Sequence, residues 1–343
     1  MNAFRLTAWG RPGELTEVPV PEVRAGEVLV KIGGAGACHS DLHLMDWPEG
    51  QLPGTVPFTL GHENAGRVAK VGAGVTSVRE GDAVVLYGPW GCGACRACRL
   101  GRENYCERAA EIPAMGGGLG RDGGMAEYML VPSARFLIPI GDLDPAIAAP
   151  LADAGLTPYH AIAKSRHLLH PGASAVVIGI GGLGQMAIQL LRATTGVRIV
   201  AVDTDERKLE VARKLGADVA IQPGPDGADA IRKATGGGAE VVLDVVGAEA
   251  TLALGAKSLR AEGRLVILGL ALGVLPVSFF TLPMGAEVAS SYWGTVPELM
   301  ELVALARAGK VTLDVERFPL AKAADAYARL RRGEIRGRAV IIP

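Results

Sequence analysis

From Ser174 to Gly269 the chain alternates uninterrupted runs of Val, Ile and Leu with amphipathic stretches, and few folds accommodate that order. SAVVIG (174–179) leads into LGQMAIQLLRAT, RIVAVD (198–203) into DERKLEVARKLG, and EVVLDVV (240–246) into EATLALGAKSL, with RLVILG (264–269) after them. Apolar runs of this kind belong to strands buried on both faces, and the intervening helices supply the cover. The region therefore predicts a doubly wound parallel sheet in an α/β fold.

The first strand-to-helix turn carries Gly179, Gly181 and Gly184 in the spacing G-x-G-x-x-G, with Gly182 and Leu183 between them. In a chain with 47 glycines a bare triplet means little. Here it follows an apolar strand and opens a helix, and an acid, Asp203, ends the next strand about 20 residues on. The glycines permit a tight turn and close backbone approach, so a pyrophosphate can sit at the positive helix N-terminus. Asp203 can accept hydrogen bonds from the adenosine ribose hydroxyls and would repel an added phosphate, which points to NAD rather than NADP. The competing reading is a Gly-rich turn in which Asp203 only caps the following helix.

Residues 1–150 have a different texture. Short β-like runs, VLVKI (28–32), GRVAKV (66–71) and DAVVLY (82–87), are separated by Gly- and Pro-rich turns, as in an all-β, barrel-like domain. The predicted organisation is a β-rich domain over 1–150, a nucleotide-binding α/β domain over 151–293, and a segment over 294–343. That last segment contains helix-like PELMELVALARAG and AADAYARLRRG and ends in strand-like RAVIIP.

Four of the five cysteines, Cys92, Cys95, Cys98 and Cys106, fall in GCGACRACRLGRENYC. Two-residue gaps bring successive thiolates within reach of one ion, and the longer gap lets a loop return the fourth. This spacing predicts a closed, structural zinc site. An iron–sulfur cluster also uses C-x-x-C-x-x-C, though there the fourth ligand follows sooner and precedes a proline. Disulfides would require an oxidising compartment. The fifth cysteine, Cys38, stands upstream in GACHSD, and His62 and Glu63 follow in GHE. Singly these three read as a buried small hydrophobe, a turn histidine and a solvated charge.

Composition removes several function classes. A formal net charge of -1 gives no electrostatic footprint for nucleic acid or an anionic membrane surface. The amino terminus carries charges where a signal peptide needs an apolar core. No uninterrupted apolar run is long enough to cross a bilayer; AAPLADAGLTPYHAIA is broken by Pro150, Asp153, Pro158 and His160. The expectation is a cytoplasmic protein.

Taken together and in this order, CHSD, GHE, the four-cysteine lobe, GIGGLG, Asp203 and the terminal GEIRGRAV resemble the zinc-containing, medium-chain alcohol dehydrogenases over essentially the whole chain. The likeness is nearest to the short bacterial NAD-dependent secondary-alcohol dehydrogenases. It implies a GroES-like catalytic domain joined to a Rossmann domain, with residues 294–343 returning to the catalytic part. It also implies two zinc ions per subunit, NAD, a small alcohol or ketone as substrate, and a homodimer or homotetramer.

Residue by residue, the resemblance makes Cys38 and His62 ligands of a catalytic zinc. The third ligand falls on Asp153 in LADAGLT, where classical members carry cysteine; Glu63 is the alternate ligand. Asp41 orients the ligand histidine, Ser40 takes the alcohol's proton, and His43 either ends the proton relay or only shapes the pocket. His39 and Arg338 fall at the pyrophosphate, Thr157 behind the nicotinamide, and Lys208 beside the adenosine ribose. Val246, Leu268 and Leu270 lie at strand ends facing the cofactor. Tyr292 and Trp293 line the substrate pocket or pack between domains. Two rivals remain on sequence: a polyol or amino-alcohol dehydrogenase on the same scaffold, and a nucleotide-binding module without catalysis.

Overall fold

The computed structural model describes residues 1–51, 54–112 and 116–343. They fall into two compact units, Met1–Leu156 with Gly294–Pro343, and Thr157–Trp293. The division comes a few residues past Pro150.

In the first unit, strand Val28–Ala37 is the hub of a seven-stranded sheet. One edge bonds antiparallel to Glu63–Val71, which in turn pairs with Ala83–Leu86 and, beyond it, Leu137–Pro139. The other edge is shared: Tyr128–Val131 lies beside Val28–Lys31, and Arg338–Ile342 beside Ala35–Ala37. Val315–Pro319 completes the sheet parallel to Arg338–Ile342. The hub is buried along nearly its whole length, which explains why it reads as apolar without strict alternation. Gly36 stands in register with Glu63, and a Cβ there would collide with the Glu63 carboxylate. Glycine at this position therefore makes room for a buried acid next to the metal-ligating candidates. Tyr87, Phe58, Phe136, Leu6 and Leu60 fill the core of this unit.

The second unit is the doubly wound sheet expected from the sequence. Its six strands are all parallel and lie in the order Val219–Ile221, Arg198–Val202, Ser174–Ile178, Ala239–Asp244, Leu259–Ile267, Glu287–Ser290. The order reverses between Ser174–Ile178 and Ala239–Asp244, which opens the crevice in which such sheets bind ligands at their carboxyl ends. Val176, Ile178, Val200, Val202, Val242 and Leu265 form the heart of its core. Among the described residues, no helix is long and apolar enough to cross a membrane.

Candidate metal centre and nucleotide site

Cys38 follows the hub strand and is the N-cap of helix His39–Asp46, so the strand-to-helix turn delivers Cys38, Ser40 and Asp41 to one spot. Asp41 reaches back to accept the Cys38 N–H at 2.9 Å, fixing the turn. His62 is 2 % exposed and immediately precedes strand Glu63–Val71. Its Nδ1 faces Asp41 Oδ1 at 3.0 Å, which leaves Nε2 directed at Asp153 Oδ2, 3.6 Å away. Asp153 follows the 3-10 turn Ala149–Ala152, and its Oδ2 lies 3.9 Å from Cys38 Sγ.

Ligand atoms of Cys38, His62 and Asp153 all lie within 4.8 Å of one another. Donors on one tetrahedral ion, with bonds of about 2.0–2.3 Å, stand about 3.5 Å apart. A thiolate, an imidazole and a carboxylate at these separations fit zinc, and three protein donors leave a fourth position open. Burial works against a charged His62, but Asp41, Asp153 and Cys38 together hold its pKa well above 6.5.

Glu63 is not gathered with these three. Its Oε1 accepts Ala154 N–H at 2.9 Å and Arg338 Nη2 at 2.6 Å, while Oε2 accepts Arg338 Nε at 2.8 Å. The alternate-ligand expectation for Glu63 therefore meets a carboxylate already bound on both oxygens. Arg338 is 4 % exposed and gives two of its three nitrogens to that pair. Both Nη1 protons and the second Nη2 proton are left for the phosphate role expected of it.

Ser40 Oγ lies 3.5 Å from Cys38 Sγ. His43 sits on the same helix and stacks on Trp47, with centroids 5.4 Å apart. Partial burial lowers the His43 pKa below 6.5, Asp46 opposing the shift and Arg331 adding to it. His39 is exposed at the start of that helix.

The four remaining cysteines also converge, with all sulfurs within 4.8 Å and none of the five thiols in a disulfide. Successive turns are tied by N–H···S contacts, Cys95 N to Cys92 Sγ at 3.4 Å and Cys98 N to Cys95 Sγ at 3.5 Å. Cys92 N closes the loop on Cys106 Sγ at 3.4 Å. The Ala94 and Cys95 amides lower the Cys92 pKa to about 6, whereas burial raises Cys98 and Cys106. Four thiolates this close together suit a dication held as closed structural zinc.

In the second unit, helix Gly182–Thr194 begins directly after Gly181. Gly179 has φ +93°, and a Cβ there would meet the Val246 and Val245 side chains at 2.6 and 3.0 Å. Glycine thus brings the turn onto Val246 at the switch point. Asp203 Oδ2 accepts Ile180 N–H from the turn at 2.7 Å, and Oδ1 accepts Asp205 N–H at 2.9 Å. Lys208 Nζ is 3.9 Å from Asp203 Oδ2. Leu268 is buried, whereas Leu270 is 49 % exposed. Thr157 is buried in helix Leu156–Lys164. Trp293 is buried with φ +51° and meets Tyr292 edge-on at 5.7 Å.

The linear reading passed over Asp244 and Tyr327. Asp244 is fully buried, and its Oδ1 accepts Val246 N–H at 2.9 Å and Gly247 N–H at 3.0 Å. An acid closing an apolar strand was the available signal. For Tyr327, which donates to Asp41 at 2.8 Å from far along the chain, nothing local in the sequence was.

Comparison with known proteins finds two family models along the chain. Residues 24–142 match the family model described as alcohol dehydrogenase GroES-like domain, and 182–308 the model described as zinc-binding dehydrogenase. The chain is 36 % identical to an NAD-dependent alcohol dehydrogenase of Sulfurisphaera tokodaii, covering 100 % of both chains. It is also 36 % identical to a D-arabinose 1-dehydrogenase (NADP(+)) of Saccharolobus solfataricus, covering 100 % of this chain and 97 % of that one. The crystal structure of an alcohol dehydrogenase from Aeropyrum pernix superimposes with a TM-score of 0.92 at 37 % identity, covering 100 % of both.

Proposed function

The chain belongs to the zinc-binding alcohol dehydrogenases, and from that premise we propose that it interconverts a secondary alcohol and its ketone with NAD. The reading is supported above all by the mutual approach of Cys38 Sγ, His62 Nε2 and Asp153 Oδ2 in a set with an open position. These three residues would hold a catalytic zinc, and Cys92, Cys95, Cys98 and Cys106 a structural one. Zinc supplies a Lewis acid that makes a bound alcohol more acidic, and NAD supplies the hydride acceptor.

The protein's own groups do the rest. Cys38 and Asp153 bring two negative charges to match a dication, and Asp41 keeps the His62 ring in the orientation that frees Nε2. Ser40, beside Cys38 Sγ, is the first acceptor for the alcohol's proton. His43 receives it next: its lowered pKa keeps the imidazole neutral near pH 7 and so able to take a proton. Gly179, Gly181, Gly182, Leu183 and Gly184 form the pyrophosphate turn, at the N-terminus of a helix. Asp203 accepts the ribose hydroxyls with the lone pairs its two backbone contacts leave open. The metal chemistry belongs to 1–156 with 294–343, and NAD binding to 157–293.

A secondary alcohol is preferred to a polyol on the likeness of the whole chain to secondary-alcohol dehydrogenases and on the aromatic, uncharged character of Tyr292 and Trp293. The sugar-oxidising relative is the specific reason to keep the polyol as second reading. We further assign a cytoplasmic homodimer or homotetramer. Leu272, Val274, Val277, Phe279, Phe280 and Met284 are exposed in the segment just before the edge strand Glu287–Ser290, a surface that a second copy would cover.

The test is NADH formation by the zinc-loaded enzyme with 2-propanol and both enantiomers of 1-phenylethanol, against D-arabinose. Turnover of the secondary alcohols supports the reading; turnover of the sugar alone transfers it to polyhydroxylated substrates of the sugar class.

A further inference from the structure

The Tyr327 hydroxyl has no part in the steps above, yet it lies two hydrogen bonds from a candidate ligand. Tyr327 sits on helix Ala323–Arg331, 4 % exposed, with its ring stacked on Phe4 at 5.8 Å. Its hydroxyl lies 2.8 Å from Asp41 Oδ2 and 3.2 Å from Met125 Sδ. A phenol has one proton to donate, and a carboxylate is a far better acceptor than a thioether. The proton therefore goes to Asp41.

Asp41 is fully buried and divides its oxygens cleanly. Oδ2 accepts from the Cys38 amide and the Tyr327 hydroxyl, while Oδ1 faces His62 Nδ1. We propose that Tyr327 is a positioning residue of the metal centre, whose hydroxyl fixes the Asp41 carboxylate so that His62 presents Nε2 to the ion. This rests on the reading of Cys38, His62 and Asp153 as metal ligands.

The physical reason lies in what surrounds Oδ2. With the hydroxyl gone, that oxygen keeps one amide and otherwise faces the Phe4 and Met125 side of the site. A buried carboxylate short of a donor rotates toward whatever donor is near, and its grip on His62 Nδ1 loosens. Removing the hydrogen-bond partner of a ligand histidine typically costs 10–100-fold in metal affinity or activity. Tyr327 acts one bond further out, so the lower end of that range is expected.

The experiment uses the full-length, zinc-loaded enzyme and Tyr327→Phe, which keeps the ring and removes only the oxygen. Zinc release to an excess chromogenic chelator is followed alongside kcat and the KM for NAD. The expected result is that one of two zinc ions leaves about tenfold faster than in wild type while the other is unaffected. kcat falls and the KM for NAD stays put. A cobalt-loaded preparation gives a second readout, with the visible band of the Cys38-bound ion shifting in the variant. A merely structural role would accelerate loss of both ions and leave the cobalt band in place. Wild-type release rates and an unshifted band in Tyr327→Phe overturn the proposal. The underlying reading is tested separately by Cys38→Ser: if that variant keeps every ion of the wild type, the site itself is wrong and Tyr327 falls with it.

Discussion

Glu63 and Arg338 form a buried two-point ion pair, with Nε on Oε2 at 2.8 Å and Nη2 on Oε1 at 2.6 Å. Breaking such a pair from one side leaves an uncompensated charge and costs about 3–5 kcal/mol. Arg338→Leu should therefore lose stability on that scale in chemical denaturation. Glu63→Gln should keep both metals, because its carboxylate is engaged by Arg338 and not gathered with the ligand set. Loss of one zinc ion from Glu63→Gln would return the ligand role to Glu63.

Asp153→Ala removes an anionic donor from the three-residue set. About two zinc ions per subunit are expected in wild type and about one in the variant, counted by mass spectrometry. Turnover should fall by several orders of magnitude with little change in NAD affinity, since the glycine turn is untouched. Asp153→Cys should restore part of the metal content. An Ala variant with both ions and normal turnover would remove Asp153 from the site.

Cys98→Ser bears on the other cluster, whose four sulfurs lie within 4.8 Å of one another. The expected outcome is a lower melting temperature and a tendency to aggregate, with the folded fraction retaining much of its turnover. A fully stable but inactive Cys98→Ser would contradict a structural role.

Asp203 should make the enzyme prefer NAD, and Asp203→Gly should narrow the preference in kcat/KM. The structure adds two consequences. Glycine also orphans the Ile180 and Asp205 amides that Asp203 now accepts, so NAD itself should bind less well. Arg207, though paired with Asp205 through Nε and Nη2, is exposed and keeps Nη1 to offer a 2′-phosphate. A wild type favouring NADP would overturn the assignment.

Metal uptake at the Cys38–His62–Asp153 set should release a proton. The His62 pKa is raised well above 6.5 by Asp41, Asp153 and Cys38 despite burial. In the metal-free protein that proton stabilises the fold below about pH 6.5, and the gain is lost as pH rises through the raised value. Zinc must displace the same proton, so its affinity should rise with pH over that window. Calorimetric titration of the metal-free enzyme in buffers of different ionisation enthalpy measures the proton count. A pH-independent affinity with no proton release would contradict the shift.

What the sequence disclosed follows from distance along the chain. The glycine turn, the acid ending the next strand and the four-cysteine lobe are local patterns, each formed by residues that the backbone itself brings together. The parallel sheet was legible for the same reason, since strands buried on both faces show as unbroken apolar runs. Asp153 was assigned by resemblance, because an isolated acid in an apolar stretch has no spacing to identify it. The partners of Glu63 and Asp41 were hidden: Arg338 and Tyr327 come from near the other end of the chain. Glu63 therefore read as an available carboxylate, when Gly36 and Arg338 together make it a buried one.

The pairing of Ala37 with Ala339 has a consequence for biosynthesis. The nucleotide unit is one continuous stretch and can acquire all its strands as they leave the ribosome. The unit that holds both ligand clusters cannot, because its hub strand waits for Arg338–Ile342 to cover Ala35–Ala37. Until those residues are made, that edge offers unsatisfied amides and carbonyls to any other nascent strand. The yield of active enzyme from a cell should therefore depend on how well that interval is protected, and zinc supplied only after translation should not recover chains that misassembled during it.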